Sequence, residues 1–307
     1  MSFLSDAVAI PPSHIITQAQ AAPTPRVAIA RAGAPLPMLA AMEATQANMM
    51  TPLFTGERAD ILAEADKLGW DISEFEIIDT NGEAEAGAAA ALACGEGRAD
   101  VLMKGQLHSD AFMKAAVSRD AGLRVGKRFA HIFHITSADG SRAITISDAA
   151  VNVAPNMDTR RDATTEVVRL LHKIGTPRPK VAFLSATESA IESVPSSIEA
   201  RELRDWAIEH IKDADFSGPL AFDLIMSPAA VQAKGLTGDP VAGHADAIIV
   251  PDIVSGNALF KSFVYLAGGC AGGIVMGAKV PILLTSRADP AAARLSSIAL
   301  GAIMAAG

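Results

Sequence analysis

Apolar runs of three to five residues recur along this chain, separated in most cases by ten or more residues with helical spacing. Runs that short, bounded by Gly, Pro and polar residues, read as buried strands, and their alternation with helices is the mark of strand–helix–strand units with a largely parallel sheet. The first set places strands at 27–30, 51–55, 75–78 and 101–103, with helices at 35–49, 58–68 and 84–95. A second set places strands at 131–135 and 143–146, a long helix at 159–174, a strand at 181–184 and a helix at 201–211. It continues with a strand at 248–250, a helix at 257–267, strands at 274–276 and 281–285, and a last helix at 291–305. Aromatic residues make up only 5% of the chain against 50% hydrophobic in all, so Ala, Val, Ile and Leu must do the packing, as in Ala-rich helices laid on parallel strands. Residues 1–26, with Pro11, Pro12, Pro23 and Pro25, resist regular structure beyond one short helix and read as a leader or docking arm.

Charge and cysteine content narrow the function classes. A formal net charge of −8 with no clustered Lys and Arg excludes a nucleic-acid partner, which needs concentrated positive charge to neutralise phosphates. Local cations and helix N-termini can still hold a small anion on such a chain. Cys94 and Cys270 lie far apart in Ala/Gly-rich surroundings, so neither a disulfide framework nor a metal site is expected. The first ten residues carry Asp6 and no basic region, and no charge-free apolar run is long enough to span a bilayer. The expectation is a cytoplasmic protein with no membrane partner.

Four segments carry residue types suited to chemistry. Lys104-Gly105-Gln106-Leu107-His108-Ser109-Asp110 follows the strand 101–103 and precedes a helix. A glycine at a strand's C-terminal end admits close backbone approach, free amides open the next helix, and ligands of open α/β sheets bind at that edge. An ordinary capped loop with solvated Lys104 and His108 has the same pattern, and the residues alone leave the two open. In the second segment, Leu220-Ala221-Phe222-Asp223, the aspartate either anchors a neighbour or caps the helix that follows. The third runs from Ile248 through Pro251, Asp252, Gly256 and Asn257 to Lys261, a buried strand whose polar end feeds a helix and offers a rest for an oxyanion or phosphate. Taken singly, Pro251, Gly256 and Asn257 are also ordinary turn formers. The fourth, Thr285-Ser286-Arg287-Ala288-Asp289, ends a strand with a hydroxyl, a guanidinium fork matched to phosphate oxygens, and a carboxylate that could equally cap a helix beginning at Pro290.

Two other segments carry less. The Gly-rich run 268–273 precedes a strand instead of opening a helix after one, so it is no dinucleotide fingerprint and reads as close packing. The stretch 185–197 has neither a nucleophile elbow nor paired histidines for zinc.

Lys104-Gly105 with His108-Ser109, DAAVNVAP at 148–155, GPLAFD at 218–223, PVAG at 240–243, VPDIVSGN at 250–257 and TSRAD at 285–289, taken in order, resemble the phosphate acetyl/butyryltransferases. The continuation of TSRAD into Leu295-Ser296-Ser297 is similar to the butyryl-type branch and to the transferase half of enoyl-CoA hydratase/phosphate acetyltransferase fusions. The resemblance implies two α/β domains, each a mainly parallel sheet flanked by helices, with the second inserted in the first as in isocitrate and isopropylmalate dehydrogenases. The boundaries expected are 1–136 with 283–307 for the first domain and 137–282 for the second, with the active cleft between the two. It further implies direct transfer of a short acyl group, acetyl, propionyl or butyryl, between coenzyme A and phosphate in a ternary complex. Coenzyme A is then a substrate, no other cofactor or metal is used, and the protein is a homodimer or larger homo-oligomer.

Under that resemblance Ser286 steadies the transition state, Arg287 holds phosphate and Asp289 completes the catalytic set. Lys104, Gly105, His108, Ser109, Asp252, Gly256, Asn257 and Lys261 bind substrate. Acetyl-specific members carry an aspartate seven residues after the serine as the presumed base for the thiol, and here that position is Ala293. The nearest alternative bases by motif are Asp289 and His108. A member that has lost catalysis and serves as a sensor of coenzyme A or acyl phosphate is the competing expectation.

Overall fold

Val27, Ala28, Ile29 and Ala30 are buried, and the strand they form has a parallel partner on each side, which is why it reads as an unbroken apolar run. The computed structural model describes residues 3–284 and 289–306. The chain divides into two compact units, one of Ala9–Lys127 with Gly272–Gly307 and the other of Met1–Val8 with Arg128–Ala271.

The first unit begins with α1 (Ser13–Ala21), β1 (Arg26–Ala30), α2 (Pro35–Gln46), β2 (Thr51–Gly56) and α3 (Arg58–Lys67). It continues with β3 (Ile77–Asp79), α4 (Gly82–Gly95), β4 (Val101–Lys104) and α5 (Ser109–Ala116). The four strands are parallel in the order β3-β2-β1-β4. Within the expected leader, α1 is the short helix, and Ile15 and Ala19 are its buried residues. Burying a side chain the size of Ile15 contributes about 1.5–3 kcal/mol, enough to tie a Pro-rich segment to the body.

In the second unit β5 (Ala130–Thr136) and β6 (Ala143–Ser147) form an antiparallel pair, followed by α6 (Met157–Lys173), β7 (Lys180–Leu184), α7 (Pro195–His210) and β8 (Asp215–Leu220). Then come α8 (Phe222–Met226), α9 (Pro228–Ala233), β9 (Ala247–Ile249) and α10 (Ile253–Lys261), which runs on into a π-helical turn, Ser262–Leu266. The order is β5-β6-β9-β7-β8, parallel from β6 onward. Strand β8 is an element that local signals hid, because Gly218 and Pro219 in its interior read as turn residues. Helix α10 begins at Ile253, four residues before the expected start, because Asp252 accepts a hydrogen bond from the Ser255 amide and caps it there.

The chain then forms β10 (Cys270–Met276), β11 (Ile282–Leu283) and α11 (Ala291–Ala305). Most of the Gly-rich run lies inside β10, which is buried along its whole length. Strand β11 lies parallel to β4 and antiparallel to β10, and α11 packs on β4, β11, α1 and α2. Among the described residues no helix is long and apolar enough to cross a membrane.

Candidate functional site

Strands β1, β2 and β4 end side by side, and the loops leaving them are held together by one arginine. Past β1, Arg31 adopts φ 54°, and its guanidinium reaches Glu57 beyond β2 at 3.2 Å and Glu83 in the first turn of α4 at 3.4 Å. Past β4, Gly105 and Gln106 donate their amides to the carbonyls of Ala30 and Arg31 at 2.9 and 2.8 Å. A Cβ on Gly105 would stand 2.6 Å from the Arg31 carbonyl oxygen and nearer still to that of Ala30, so only glycine lets the two loops close. The close approach found at Gly105 is thus to neighbouring backbone. Lys104, the last residue of β4, is buried.

His108 stands at the N-cap position of α5 with no side-chain cap hydrogen bond. Its Nδ1 lies 2.9 and 3.0 Å from the two Glu83 carboxylate oxygens, and its backbone amide donates to Glu83 Oε2 at 3.1 Å. The amide and the imidazole of His108 hold the Glu83 carboxyl below its usual range. Glu57 is lowered too: burial pushes it up, and hydrogen bonds from backbone amides and from Arg31 outweigh that. With Nδ1 committed to a carboxylate, the neutral imidazole carries its proton there and turns an Nε2 lone pair outward. The His108 side chain is 70% exposed, and Ser109 beside it is exposed as well.

Leu283 is paired with Met103, so the chain leaves β11 at Leu284 level with Lys104. Ser286 and Arg287 lie outside the described residues. The Asp289 carbonyl accepts a hydrogen bond from Arg294, and Pro290 takes the N-cap position of α11 with no side-chain cap bond. Asp289 therefore does not cap that helix. Ala293 is buried inside α11.

The second unit gathers its polar residues where β6 and β9 end. Asp148 is buried, and its carboxylate accepts four N–H bonds, from the amides of His131, Ala150 and Val151 and from the Asn152 side chain, at 2.7–3.0 Å. The DAAVNVAP segment is thereby folded around its own aspartate. Gly256 of α10 packs so closely on this turn that a Cβ would stand 3.1 Å from Ala149 Cα and closer to the Asp148 carbonyl, while the Asn257 side-chain Nδ2 donates to the Ala149 carbonyl at 3.3 Å. Lys261 is exposed in the last turn. Of the residues expected to bind substrate, Lys104, Gly105, His108 and Ser109 thus share one loop, and Asp252, Gly256, Asn257 and Lys261 share one helix.

Sequence reasoning missed the residues that act on these loops from a distance. Arg31, Glu57 and Glu83 carry no motif; only their positions just past strand ends or in a first helical turn hint at a role. In the second unit, Arg160 is 2% exposed with Nη1 on Glu199 at 2.9 Å, and its Nε and Nη2 have no hydrogen-bond partner among the described residues. Burial lowers its pKa against the pull of Glu199 and Asp252. His131 is fully buried against Phe133, with ring centroids 4.2 Å apart. Burial drives its pKa down to about 4 against the opposing pull of Asp148.

Two open cavities of this unit, about 570 and 450 Å³, lie away from these strand ends, the first beside the C-terminal turns of α6 and α7 and the second where β6 and β9 begin. His172 and Lys173 in the first lie in the last turn of α6 and His210 in the last turn of α7, positions where the helix dipole favours basic residues. Among the described residues no three His, Cys, Asp or Glu side chains converge as metal ligands.

The family model described as Phosphate acetyl/butaryl transferase matches residues 83–302. A phosphate acetyltransferase of Rhizobium meliloti is 38% identical over 267 residues, covering 87% of this chain and 84% of its own. A phosphate butyryltransferase of Clostridium acetobutylicum is 32% identical over 294 residues, covering 95% and 97%. The crystal structure of a branched-chain phosphotransacylase from Enterococcus faecalis superposes with a TM-score of 0.79 at 26% identity, covering 91% of this chain and 98% of that one.

Proposed function

The chain belongs to the Phosphate acetyl/butaryl transferase family, and from that membership we propose that it exchanges a short acyl group between coenzyme A and inorganic phosphate. The observation that carries this reading is the span of the match: residues 83–302 include Glu83 and the Lys104–Ser109 loop, the start of α10, and the 285–289 segment. Relatives named for acetyl and for butyryl transfer match at similar identity, 38% and 32%, so the acyl group is written as acetyl, propionyl or butyryl. One or two methylenes are discriminated by only a few kcal/mol of pocket shape.

In the acyl phosphate-forming direction a phosphate oxygen attacks the thioester carbonyl, the C–O bond forms, the C–S bond breaks, and the departing thiolate takes a proton. Direct transfer in a ternary complex needs the two substrates held in register and the developing oxyanion met by fixed donors. Arg287 is assigned to phosphate, Ser286 to the oxyanion and Asp289 to the same catalytic set. Lys104, His108, Ser109, Asn257 and Lys261 offer polar contacts to substrate, whereas Gly105, Asp252 and Gly256 serve by shaping the backbone that presents them. Coenzyme A enters as a substrate.

A sensor that binds without turning over is the alternative, since the methyl of Ala293 stands where acetyl-specific members place a carboxylate. Titration calorimetry with coenzyme A, run beside an assay of thiol release from acetyl-, propionyl- and butyryl-coenzyme A, decides between them. Release that requires phosphate supports the transferase. Binding with no release for any of the three thioesters supports the sensor.

A further inference from the structure

Acyl transfer to coenzyme A needs a group that accepts the thiol proton. Ala293 cannot, being an alanine buried within α11. A side chain fit for that task must be a base with its acceptor atom turned outward, at a strand-end edge, and held in one protonation geometry. His108 meets each condition. It is exposed, it sits between the end of β4 and the start of α5, and its Nδ1 is fixed between the two oxygens of Glu83 at 2.9–3.0 Å. Glu83 is itself fixed by the His108 amide at 3.1 Å and by Arg31 at 3.4 Å, which is anchored in turn to Glu57 at 3.2 Å. Arg31 and Glu57 stand behind the carboxylate, while Lys104 and Asp110 are the charged residues of His108's own segment.

We propose that His108 is the general base for the coenzyme A thiol and that Glu83 is its positioning residue, holding the tautomer whose Nε2 accepts the proton. This rests on the acyl-transfer reading above. In the thioester-forming direction the thiol proton passes to Nε2, the thiolate attacks the carbonyl carbon of the acyl phosphate, the C–S bond forms and the C–O bond to phosphate breaks. In reverse, the imidazolium returns its proton to the departing thiolate. An isolated carboxylate would be a poorer proton acceptor at neutral pH, since free carboxyls titrate near 4 and thiols near 8.5. An imidazole lies between the two, and a base matched to the working pH accelerates proton transfer by about a hundredfold to ten-thousandfold.

The test uses the full chain with acetyl phosphate, butyryl phosphate and coenzyme A, following thioester formation from pH 6.5 to 9.5. His108→Ala should lower kcat about a hundredfold or more at pH 7, recover towards the wild-type rate as the pH passes the thiol pKa, and regain activity when free imidazole is added. Glu83→Gln should lower kcat with little change in either KM, Glu83→Asp should restore part of it, and the nitrogen NMR signature of His108 should lose its Nδ1–H preference in Glu83→Gln. Wild-type protein that turns over beside a His108→Ala variant of undiminished rate at pH 7 would overturn the proposal alone. So would a loss that is equal at pH 7 and pH 9.5 and is not rescued by imidazole. Wild-type protein inert with both acyl phosphates would instead remove the acyl-transfer reading, and this inference with it.

Discussion

Gly105 shows at the scale of one residue how the fold constrains the site. The amides of Gly105 and Gln106 close on the carbonyls past β1, and a side chain there would press into backbone oxygen, which cannot move aside as a flexible side chain can. Gly105→Ala is expected to cost about 1–3 kcal/mol through forced displacement of the loop, and to loosen the Glu83–His108 contact with it. Urea unfolding measures the first and His108 NMR the second. A variant within about 0.5 kcal/mol of wild type, the range of ordinary surface substitutions, would show that the loops tolerate separation. Sequence alone marked Gly105 as special for a different reason, approach to a ligand. The structural reason, approach to the strand beside it, depends on β1 being the neighbour of β4, which no local pattern states.

At the scale of an element, α10 and β5 each give a measurable consequence. Asp252 accepts the Ser255 amide at 2.8 Å, so its first effect is on helix stability. Asp252→Ala should cost about 0.5–2 kcal/mol, and Asp252→Ser, which can still cap, should recover most of it. If the serine variant restores stability but leaves a raised KM for coenzyme A, Asp252 also contacts substrate and capping is not its whole role. On β5, burial holds His131 down at about 4 against an ordinary 6.5. The folded state therefore stays neutral there while the unfolded chain takes up a proton below pH 6.5. Stability from this residue is intact above pH 6.5 and falls, by about 1.4 kcal/mol per pH unit at most, as the pH drops towards 4. Urea midpoints at pH 7.5, 5.5 and 4.5 should fall more steeply in wild type than in His131→Leu. Parallel trends in the two proteins would contradict the burial account.

The elements themselves were largely legible where the chain buries a strand on both faces. The runs at 27–30, 101–103, 181–184 and 248–250 all fall on strands of the structure, give or take a residue at their ends. Legibility failed at β8, where Gly218 and Pro219 mimic a turn inside a strand, and at the start of α10, where the Asp252 cap begins the helix four residues earlier than its apolar spacing suggests. His108 stands out in the sequence because it sits in a polar strand-end loop. Glu83 does not, since it lies 25 residues earlier in an Ala/Glu-rich helix and meets His108 only when α4 and β4 are folded into the same unit.

At the scale of the whole molecule, the chain is an acidic protein of 307 residues and net charge −8 that is proposed to handle two anionic substrates. That combination works when cations are placed singly at chosen edges, since the field from a few local groups outweighs a diffuse net charge within a Debye length of about 8–10 Å. The family assignment rests on most of the chain, and the acyl-transfer reading rests on that assignment. The measurement that tests this reading most directly is the yield of acyl phosphate against thiol released when the protein is given acetyl-, propionyl- or butyryl-coenzyme A with increasing phosphate. For at least one of the three, the release rate should saturate with phosphate, vanish without it, and yield one acyl phosphate for each thiol. Thiol release independent of phosphate, or release with no acyl phosphate formed, would contradict it.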